Sequence, residues 1–579
     1  MENIEIAQKL EDVADLLEVK SANRFRVRAY RNAARTVRSY RRPLKDLVAE
    51  DADLTELPDV GDDIAGYIRE MVETGGLELR QQLQDEVPES LTELTRIEGL
   101  GPERTKTLWQ ELGVESVGEL EEAAQAGRVA ELDGFGDKTQ DNILRDIENY
   151  RERQGRIKLV DADQYAEPLV EFLRTQEGAE RVEVAGSYRR RRATVGDLDV
   201  LVSAEDSGRI THTLTEFWGV SAVMSRGDTR ASVEISDALQ VDLRVISEKA
   251  YGAALIYFTG SKQHNIDLRT RALDQGYTLS EYGLFKGTDA DANDVTSDAW
   301  VAGRSEEEIY DALGLVWIPP ELREANGELD AAAEDNLPDL ITEHDLRGDL
   351  HMHTDWSDGA DTLQTMVDAA RERGYDYLAI TDHSQALRMT GGLDEEKLEK
   401  QWAAMDELDT DGIRLLRGLE VDILRDGSLD LGEEWLEHLH LVVASIHSHL
   451  DLDASDQTKR LLSAITHPQV DIIGHPTGRI LGQRNASDLA WDEIFAAARE
   501  HNVALEHNSS PDRLDLRDDL LRRTKDAGVK LVINSDAHRA DHLRFVGFGI
   551  EQARRGWLTT EDVINSWTPT SLFDWLGLS

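Results

Sequence analysis

The sequence predicts a multidomain protein: α-helical in its N-terminal part, α+β in the middle, and a parallel β/α barrel in its C-terminal part. Three observations carry this prediction. Early in the chain, three glycine turns each lead into an amphipathic helix. Further on, two strand-like runs flank a Gly-Ser turn and two aspartates spaced two apart. From Arg347 onward, nine ordered imidazole and carboxylate side chains fall at the ends of short apolar runs. At 579 residues the chain has room for roughly three to five domains rather than one core.

Composition narrows the chemistry. With no cysteine, disulfides and thiolate ligands are excluded, so any metal must be held by nitrogen and oxygen donors. No window approaches the apolar length needed to span a bilayer. The opening MENIEIAQKLEDVADLL reads as an acidic amphipathic helix without a signal-peptide pattern, so a soluble, cytoplasmic protein with no membrane partner is expected. Sixty-four basic residues against 115 acidic ones leave a net charge of −51. Such a field repels a polyanion. It also fits a salt-saturated cytoplasm, where acidic surfaces stay hydrated and long-range charge is screened. The positive charge is clustered: Arg24, Arg26, Arg28, Arg31, Arg35, Arg38, Arg41 and Arg42 crowd one early helix, and Arg189 to Arg192 form a second group. Against so acidic a background these look selected for phosphate contact. The favoured reading is a halophile's nucleic-acid enzyme.

In the N-terminal part, LPDVGDDIAGYIREMV (57–72), IEGLGPERTKTLWQEL (97–112) and LDGFGDKTQDNILRDI (132–147) repeat one pattern. A tight glycine turn exposes backbone N–H groups at a helix N-terminus, where the dipole favours an anion. Each segment resembles a helix-hairpin-helix motif, which grips the DNA backbone without reading sequence. Gly61, Gly99, Gly101, Gly134 and Gly136 are the candidate contacts.

In the middle, VEVAGSYRRRRATVGDLDVLVS places Gly186-Ser187 as a phosphate-sized turn between strand and helix. Asp197 and Asp199 lie two apart on a strand, so their carboxylates share a face. Asp242, in QVDLRVI, would join them from a neighbouring strand. Three carboxylates around two Mg²⁺ or Mn²⁺ ions suit in-line phosphoryl transfer. A lone DxD is most often surface decoration; paired with Gly-Ser it resembles the signature of the nucleotidyltransferase superfamily. YFTGSKQHN (257–265), Arg269 and EYGLF (281–285) then resemble a family X DNA polymerase over about residues 1–318. The resemblance implies a catalytic triad of Asp197, Asp199 and Asp242, with Ser187 and Arg190 on the β,γ-phosphates beside Gly186. It also implies a bend from Tyr257 through Phe258 to Gly260 near the sugar, Asn265 at the base, and Arg269 on the template strand. Departures stand beside it. Tyr67 occupies the position of the Schiff-base lysine found in members with lyase activity, Asp63 replaces a basic phosphate contact, and Arg26 replaces a lysine. None of the three supplies a neutral amine.

The C-terminal ligands are His351, His353, Asp358, His383, Glu420, His447, His475, Asp536 and His538. Most are preceded by strand-like runs: YLAI, RLLRGLE, LVVASI, DIIG and LVINS. Parallel barrels carry their chemistry at the C-terminal ends of their strands, so these side chains would meet at one mouth. Nine ligands exceed one ion's needs. Two or three Zn²⁺, Mn²⁺ or Fe²⁺ ions sharing Glu420 are expected. The segments RGDLHMHTDWSDG, AITDHS, GLEVDI, SIHSH, GHPTGR and NSDAH resemble the polymerase-and-histidinol-phosphatase (PHP) family of metal-dependent phosphoesterases, which implies a distorted (β/α)7 barrel. By that analogy His351, His353, Glu420 and Asp536 hold one ion, Glu420, His447 and His475 a second, and Asp358, His383 and His538 a third. Glu506 is a weaker candidate, for substrate contact.

The expected boundaries are a helical lyase-like domain over 1–80, two further helix-hairpin-helix motifs over 81–155, a palm over 156–250, a nucleotide-binding subdomain over 251–318, a linker with a short helix over 319–345, and the PHP domain over 346–579. This order matches prokaryotic family X polymerases, here of haloarchaeal character. The resemblance implies gap filling in DNA repair on gapped or nicked duplex DNA with dNTPs; base excision repair is the expected setting and a monomer the expected state. It further implies 3′–5′ exonuclease, abasic-site endonuclease or 3′-phosphatase action by the PHP part. A phosphoesterase with a weak or inactive polymerase head is the alternative.

Overall fold

The computed structural model describes residues 1–579 except 2, 21, 41, 89, 96, 98–99, 154, 236–238, 288–292, 388–389 and 579, and not the side chains of 4, 24, 39, 85, 148–149 and 151–153. The chain divides into two compact units, the first over Met1–Arg156 with Gly482–Asn485 and the second over Ile157–Leu481 and Ala486–Ser579.

The first unit is helical. Helices α1 (Asn3–Val19) and α2 (Arg24–Ser39) pack together, burying Ile6, Leu10, Val13 and Leu17 with Val27, Tyr30, Ala34 and Val37. Those positions recur at three- and four-residue spacing, which puts them on one stripe of each helix. Helices α3 (Asp62–Thr74), α4 (Pro102–Leu112) and α5 (Asp137–Arg153) each follow one of the three predicted glycine turns.

The second unit opens on the helix Leu159–Arg174 and continues into a five-stranded mixed sheet. Its strands are β1 (Ala179–Val184), β2 (Asp197–Ala204), β3 (Val220–Arg226), β4 (Arg230–Ile235) and β5 (Leu239–Ile246), ordered β1-β2-β5-β4-β3. Only β2 and β5 run parallel, and their register sets Asp199 directly opposite Asp242. Helices α6 (Tyr251–Thr259) and α7 (Lys262–Asp274) follow, then an antiparallel sheet of β6 (Tyr277–Ser280), β7 (Gly283–Lys286) and β8 (Trp300–Ala302). The acidic stretch after Pro319-Pro320 contains the expected short helix, Glu328–Ala333, and it is packed: Arg323 and Glu328 are buried, and Leu322, Ala332 and Leu340 share a core with α6 and α7.

Seven strands then form one parallel sheet in sequential order: β9 (Gly348–Asp349), β10 (Tyr377–Ile380), β11 (Arg414–Asp422), β12 (Leu441–Ser445), β13 (Ile472–Gly474), β14 (Ala504–Asn508) and β15 (Leu531–Asn534). A parallel bridge between Met352 and Ala537, just past the first and last strands, nearly closes it into the expected seven-stranded barrel. All but β11 are buried along their full length, as strands covered on both faces must be.

Candidate functional site

In the mixed sheet, Asp199 and Asp242 face each other across the β2–β5 ladder, and Asp197 lies two residues before Asp199 on the same strand. Asp242 is fixed from both sides: its Oδ1 accepts from the Ser232 hydroxyl and its Oδ2 from Gln240 Nε2 at 2.8 Å. Burial, aided by the charges of Asp197 and Asp242, pushes the Asp199 carboxyl up to about 7. Crowded carboxylates of this kind are relieved by a cation among them, so the donor set fits divalent ions. Gly186 has φ +65° and an added Cβ would lie 3.0 Å from Asp199 Oδ2, so both conformation and space demand glycine. Ser187 follows it in a one-turn helix, Gly186–Arg189.

The neighbouring residues are mutually engaged. Arg190 Nε donates to Glu324 Oε1 at 2.9 Å, and its Nη1 donates to the Thr259 carbonyl. Asn265 Nδ2 donates to the Tyr257 carbonyl at 2.7 Å, and the Arg269 guanidinium lies 5.9 Å from the centre of the Tyr257 ring. Phe258 closes the group edge-on to Tyr257, and Gly260 ends α6 with a left-handed φ of 69°. The structure thus gathers Asp197, Asp199, Asp242, Gly186 and Ser187 at one sheet end, with Arg190 reaching across to Thr259 and Gly260.

At the barrel mouth, Glu420 is the centre. Its Oε1 faces His447 Nε2 at 3.3 Å and His475 Nε2 at 3.1 Å. Its Oε2 faces His383 Nδ1 at 2.9 Å, His351 Nε2 at 3.4 Å and His353 Nε2 at 3.6 Å. Asp358 Oδ1 lies 3.5 Å from both His383 Nε2 and His538 Nε2, and Asp536 Oδ1 lies 3.2 Å from His353 Nε2. All nine predicted ligands therefore converge. Among the described residues, the groups compact enough for one ion are His353, Asp358, His383 and His538; His351, His353 and Asp536; and His383, Glu420 and His447. His353 and His383 each serve two groups, whereas the family analogy gives each residue except Glu420 to one ion.

The electrostatics match a cation site. Burial opposes charge on Glu420 and Asp536, yet surrounding imidazoles hold both well below the carboxylate range. Burial would lower His447, but Glu420 and Asp422 push it up to about 10. Burial together with His538 and His383 pushes His353 down to about 4. His351 Nε2, both His353 nitrogens, Asp358 Oδ1 and Glu420 Oε2 are buried without a hydrogen-bond partner. Unsatisfied polar atoms in such number, gathered in one cluster, fit bound metal.

Two further carboxylates hold the ligands in place. Asp422 accepts from His447 Nδ1 at 2.9 Å. It lies two residues beyond Glu420 on β11, and the strand's period of two carried the signal. Glu506, expected to meet substrate, is fully buried instead: it lies 2.7 Å from His351 Nδ1 and accepts the His475 N–H at 2.7 Å. Asn508 Nδ2 donates to Asp536 at 3.0 Å. Among the described residues, none of His438, His440, His449, His467, His501 and His507 joins a metal-capable group.

In the first unit, Gly61 and Gly101 immediately precede α3 and α4, and Gly134 and Gly136 lie in the turn before α5; Gly99 is outside the described residues. The first turns carry Asp62 and Asp63, Glu103, and Asp137, so each helix dipole already faces its own carboxylate. The arginine helix also departs from expectation. It ends at Ser39, leaving Arg42 beyond it, and Arg41 lies outside the described residues. Arg31 pairs with Asp15 and Glu18, Arg38 with Glu11, and Arg42 with Glu50. Tyr67 stacks on Tyr30 with ring centres 6.2 Å apart.

Family models match along the chain: helix-hairpin-helix domain at 1–77, SAM-like helix-hairpin-helix tandem at 91–149, DNA polymerase beta palm at 160–271, DNA polymerase beta thumb at 254–324, and PHP domain at 349–510. The chain is 37% identical over 570 residues to the DNA polymerase/3′-5′ exonuclease PolX of Bacillus subtilis (strain 168), covering 98% of each. It is 30% identical over 203 residues to a probable phosphatase of Caldanaerobacter subterraneus subsp. tengcongensis, covering 33% of this chain and 75% of that protein. The crystal structure of Leishmania infantum polymerase beta in a ternary P/T complex aligns at 26% identity and a TM-score of 0.27, over 41% of this chain and 98% of that one.

Proposed function

The chain belongs to the family X DNA polymerases that carry a C-terminal PHP domain, and from that membership we propose that its two sites extend and trim the same DNA 3′ end during gap-filling repair. It is a DNA polymerase and 3′–5′ exonuclease. The observation that carries the two-site reading is that one chain presents both the Asp199–Asp242 pair beside Gly186 and the nine-ligand mouth around Glu420.

Asp197, Asp199 and Asp242 are read as holding two Mg²⁺ or Mn²⁺ ions. The barrel ligands would hold two or three ions, of Zn²⁺, Mn²⁺ or Fe²⁺. When bound, such ions supply Lewis acidity toward phosphate oxygens and lower the pKa of water. The protein's part is placement. Ser187 and Arg190 would orient the triphosphate, and Arg190 would exchange Glu324 for phosphate oxygens. Tyr257, Phe258 and Gly260 would border the sugar, Asn265 would turn from the Tyr257 carbonyl to the base edge, and Arg269 would meet the template. Gly61, Gly99, Gly101, Gly134 and Gly136 would let backbone amides approach phosphates of a gapped or nicked duplex. In the barrel, Glu506 and Asp422 keep His351 and His447 aimed at the mouth. Abasic-site or 3′-phosphate removal would use the same mouth, base excision repair is the setting proposed, and a monomer suffices for both reactions. A Schiff-base lyase step is left out, since Tyr67 packed on Tyr30 offers no amine.

The test is Asp197→Ala with Asp199→Ala, assayed for nucleotide incorporation on gapped DNA and for exonuclease on the same preparation. Incorporation should vanish while 3′ trimming stays near wild type, because the two sites use separate ligands. Loss of both activities in a folded double variant would sink the two-site reading.

A further inference from the structure

The four arginines at 189–192 follow Ser187 in the loop read as the triphosphate site, and part of what holds them comes from the barrel. Arg191 pairs with Asp163 Oδ1 at 3.1 Å and with Glu551 Oε1 at 2.6 Å. Glu551 lies on helix α8 (Val546–Arg555), whose first turn follows the last barrel strand by about a dozen residues. Two more α8 side chains reach the same loop. Gln552 Nε2 donates to the Arg191 carbonyl at 2.7 Å, and Arg555 Nη1 donates to the Arg190 carbonyl at 2.6 Å. Positions 551, 552 and 555 share one face of a helix through their three- and four-residue spacings. Arg555 is itself anchored, by Glu324 at 3.1 Å and by Asp518. Gln552 and Arg555 are both buried.

The loop needs such a hold. Arg191 sits in the left-handed region with φ 52°, a conformation that is strained for a non-glycine residue. The one-turn helix before it takes the Arg190, Arg191 and Arg192 N–H groups on its own carbonyls, so what α8 adds is a hold on the carbonyl side of the loop. Glu324 accepts from Arg190, the residue read as a phosphate ligand, and from Arg555 of α8. The barrel helix thus touches both the backbone that carries Arg190 and the carboxylate that Arg190 rests on.

We propose that α8 of the PHP domain is a positioning element of the polymerase's triphosphate pocket, acting through Gln552 and Arg555 on the Arg190 and Arg191 carbonyls. This rests on the reading of Ser187 and Arg190 as phosphate ligands. A loop held in its binding geometry spares the nucleotide the ordering penalty, which shows in nucleotide affinity rather than in the chemical step. The barrel thereby sets how well the polymerase holds dNTP, with no demand on its own metal cluster.

The experiment is single-nucleotide insertion on gapped DNA by full-length Gln552→Met and Arg555→Lys, with exonuclease rate and melting temperature measured alongside. Methionine keeps volume and removes the donor; lysine keeps charge but not the fork that reaches both the carbonyl and Glu324. We expect KM for dNTP to rise about tenfold with kcat within about twofold, and exonuclease unchanged. Ser187→Ala and Arg190→Ala run in parallel. If these raise KM and the α8 variants do not, the proposal fails while the phosphate reading stands. If none of the four changes KM, the phosphate reading fails and takes the proposal with it. Equal loss of both activities in the α8 variants would mark a merely structural contact and also overturn it.

Discussion

Glu506 and Asp422 are acidic residues beside the cluster that pair with its histidines and, among the described residues, join none of the metal-capable groups. Each sits opposite the far nitrogen of a histidine whose other nitrogen faces Glu420: His351 for Glu506, His447 for Asp422. Such partners fix ring orientation and raise ligand basicity, and losing one typically weakens metal binding by about 10- to 100-fold. Glu506→Gln and Asp422→Asn should therefore lower exonuclease activity by that order at limiting metal and recover it in excess metal, with nucleotide incorporation unchanged. Metal content after dialysis and a metal titration of trimming rate would show this. A loss that no metal concentration rescues would instead place the carboxylate in the chemistry. Asp422 was readable from the sequence, because it shares a strand face with Glu420. The direction of Glu506 was not, since β14 is buried along its whole length and shows no polar–apolar alternation to say which face is which.

Among the elements, the strands that carry ligands were legible because each is a short apolar run ending at a polar residue, and all five of the runs singled out lie on barrel strands. The stretch 319–345 was less legible. Its acidic, alanine-rich composition reads as a linker, because a buried ion pair and a solvated charge look alike in sequence. In the structure Arg323 is fully buried and makes a two-pronged pair with Glu306, at 2.7 and 2.9 Å, and Glu306 also takes Arg189. Burial alone would raise the Glu306 carboxyl, but Arg323 and Arg189 hold it far below the ordinary carboxylate range. Glu306→Gln would leave the Arg323 charge buried and unpaired, which destabilises by about 3–5 kcal/mol. The sign of its pH dependence follows from the depressed value. The pair's contribution is complete above the unfolded carboxylate pKa of about 4.3 and is lost as pH falls below it toward the folded value. The melting-temperature gap between wild type and Glu306→Gln should thus be wide at neutral pH and narrow on acidification. A gap that stays constant down to about pH 3 would exclude this account.

For the molecule as a whole, the order of parts follows from motif order, but its charge posed two readings, and the structure sharpens the choice between them. A net charge of −51 faces any DNA that approaches. The local devices that would overcome it are themselves compensated: Arg31, Arg38 and Arg42 are paired with acids, and the helices behind the glycine turns open on Asp62, Asp63, Glu103 and Asp137. At about 0.1 M salt the screening length is roughly 10 Å, so the acidic surface acts on DNA well beyond contact distance. At about 1 M it falls to roughly 3 Å, and only groups in direct contact with phosphate still count. Ordinary DNA-binding proteins lose affinity steeply with salt through counterion release. Here removal of long-range repulsion should outweigh that loss, so affinity for gapped duplex and nucleotide incorporation are expected to rise toward molar KCl and to fade below a few hundred millimolar. Fluorescence anisotropy of labelled gapped DNA across a KCl series, with incorporation rates on the same samples, measures both. Tight binding and full activity at roughly 0.05 M KCl, falling monotonically as salt is added, would show that the paired arginines and glycine turns contact phosphate despite the surrounding charge, and would remove the case for adaptation to high salt.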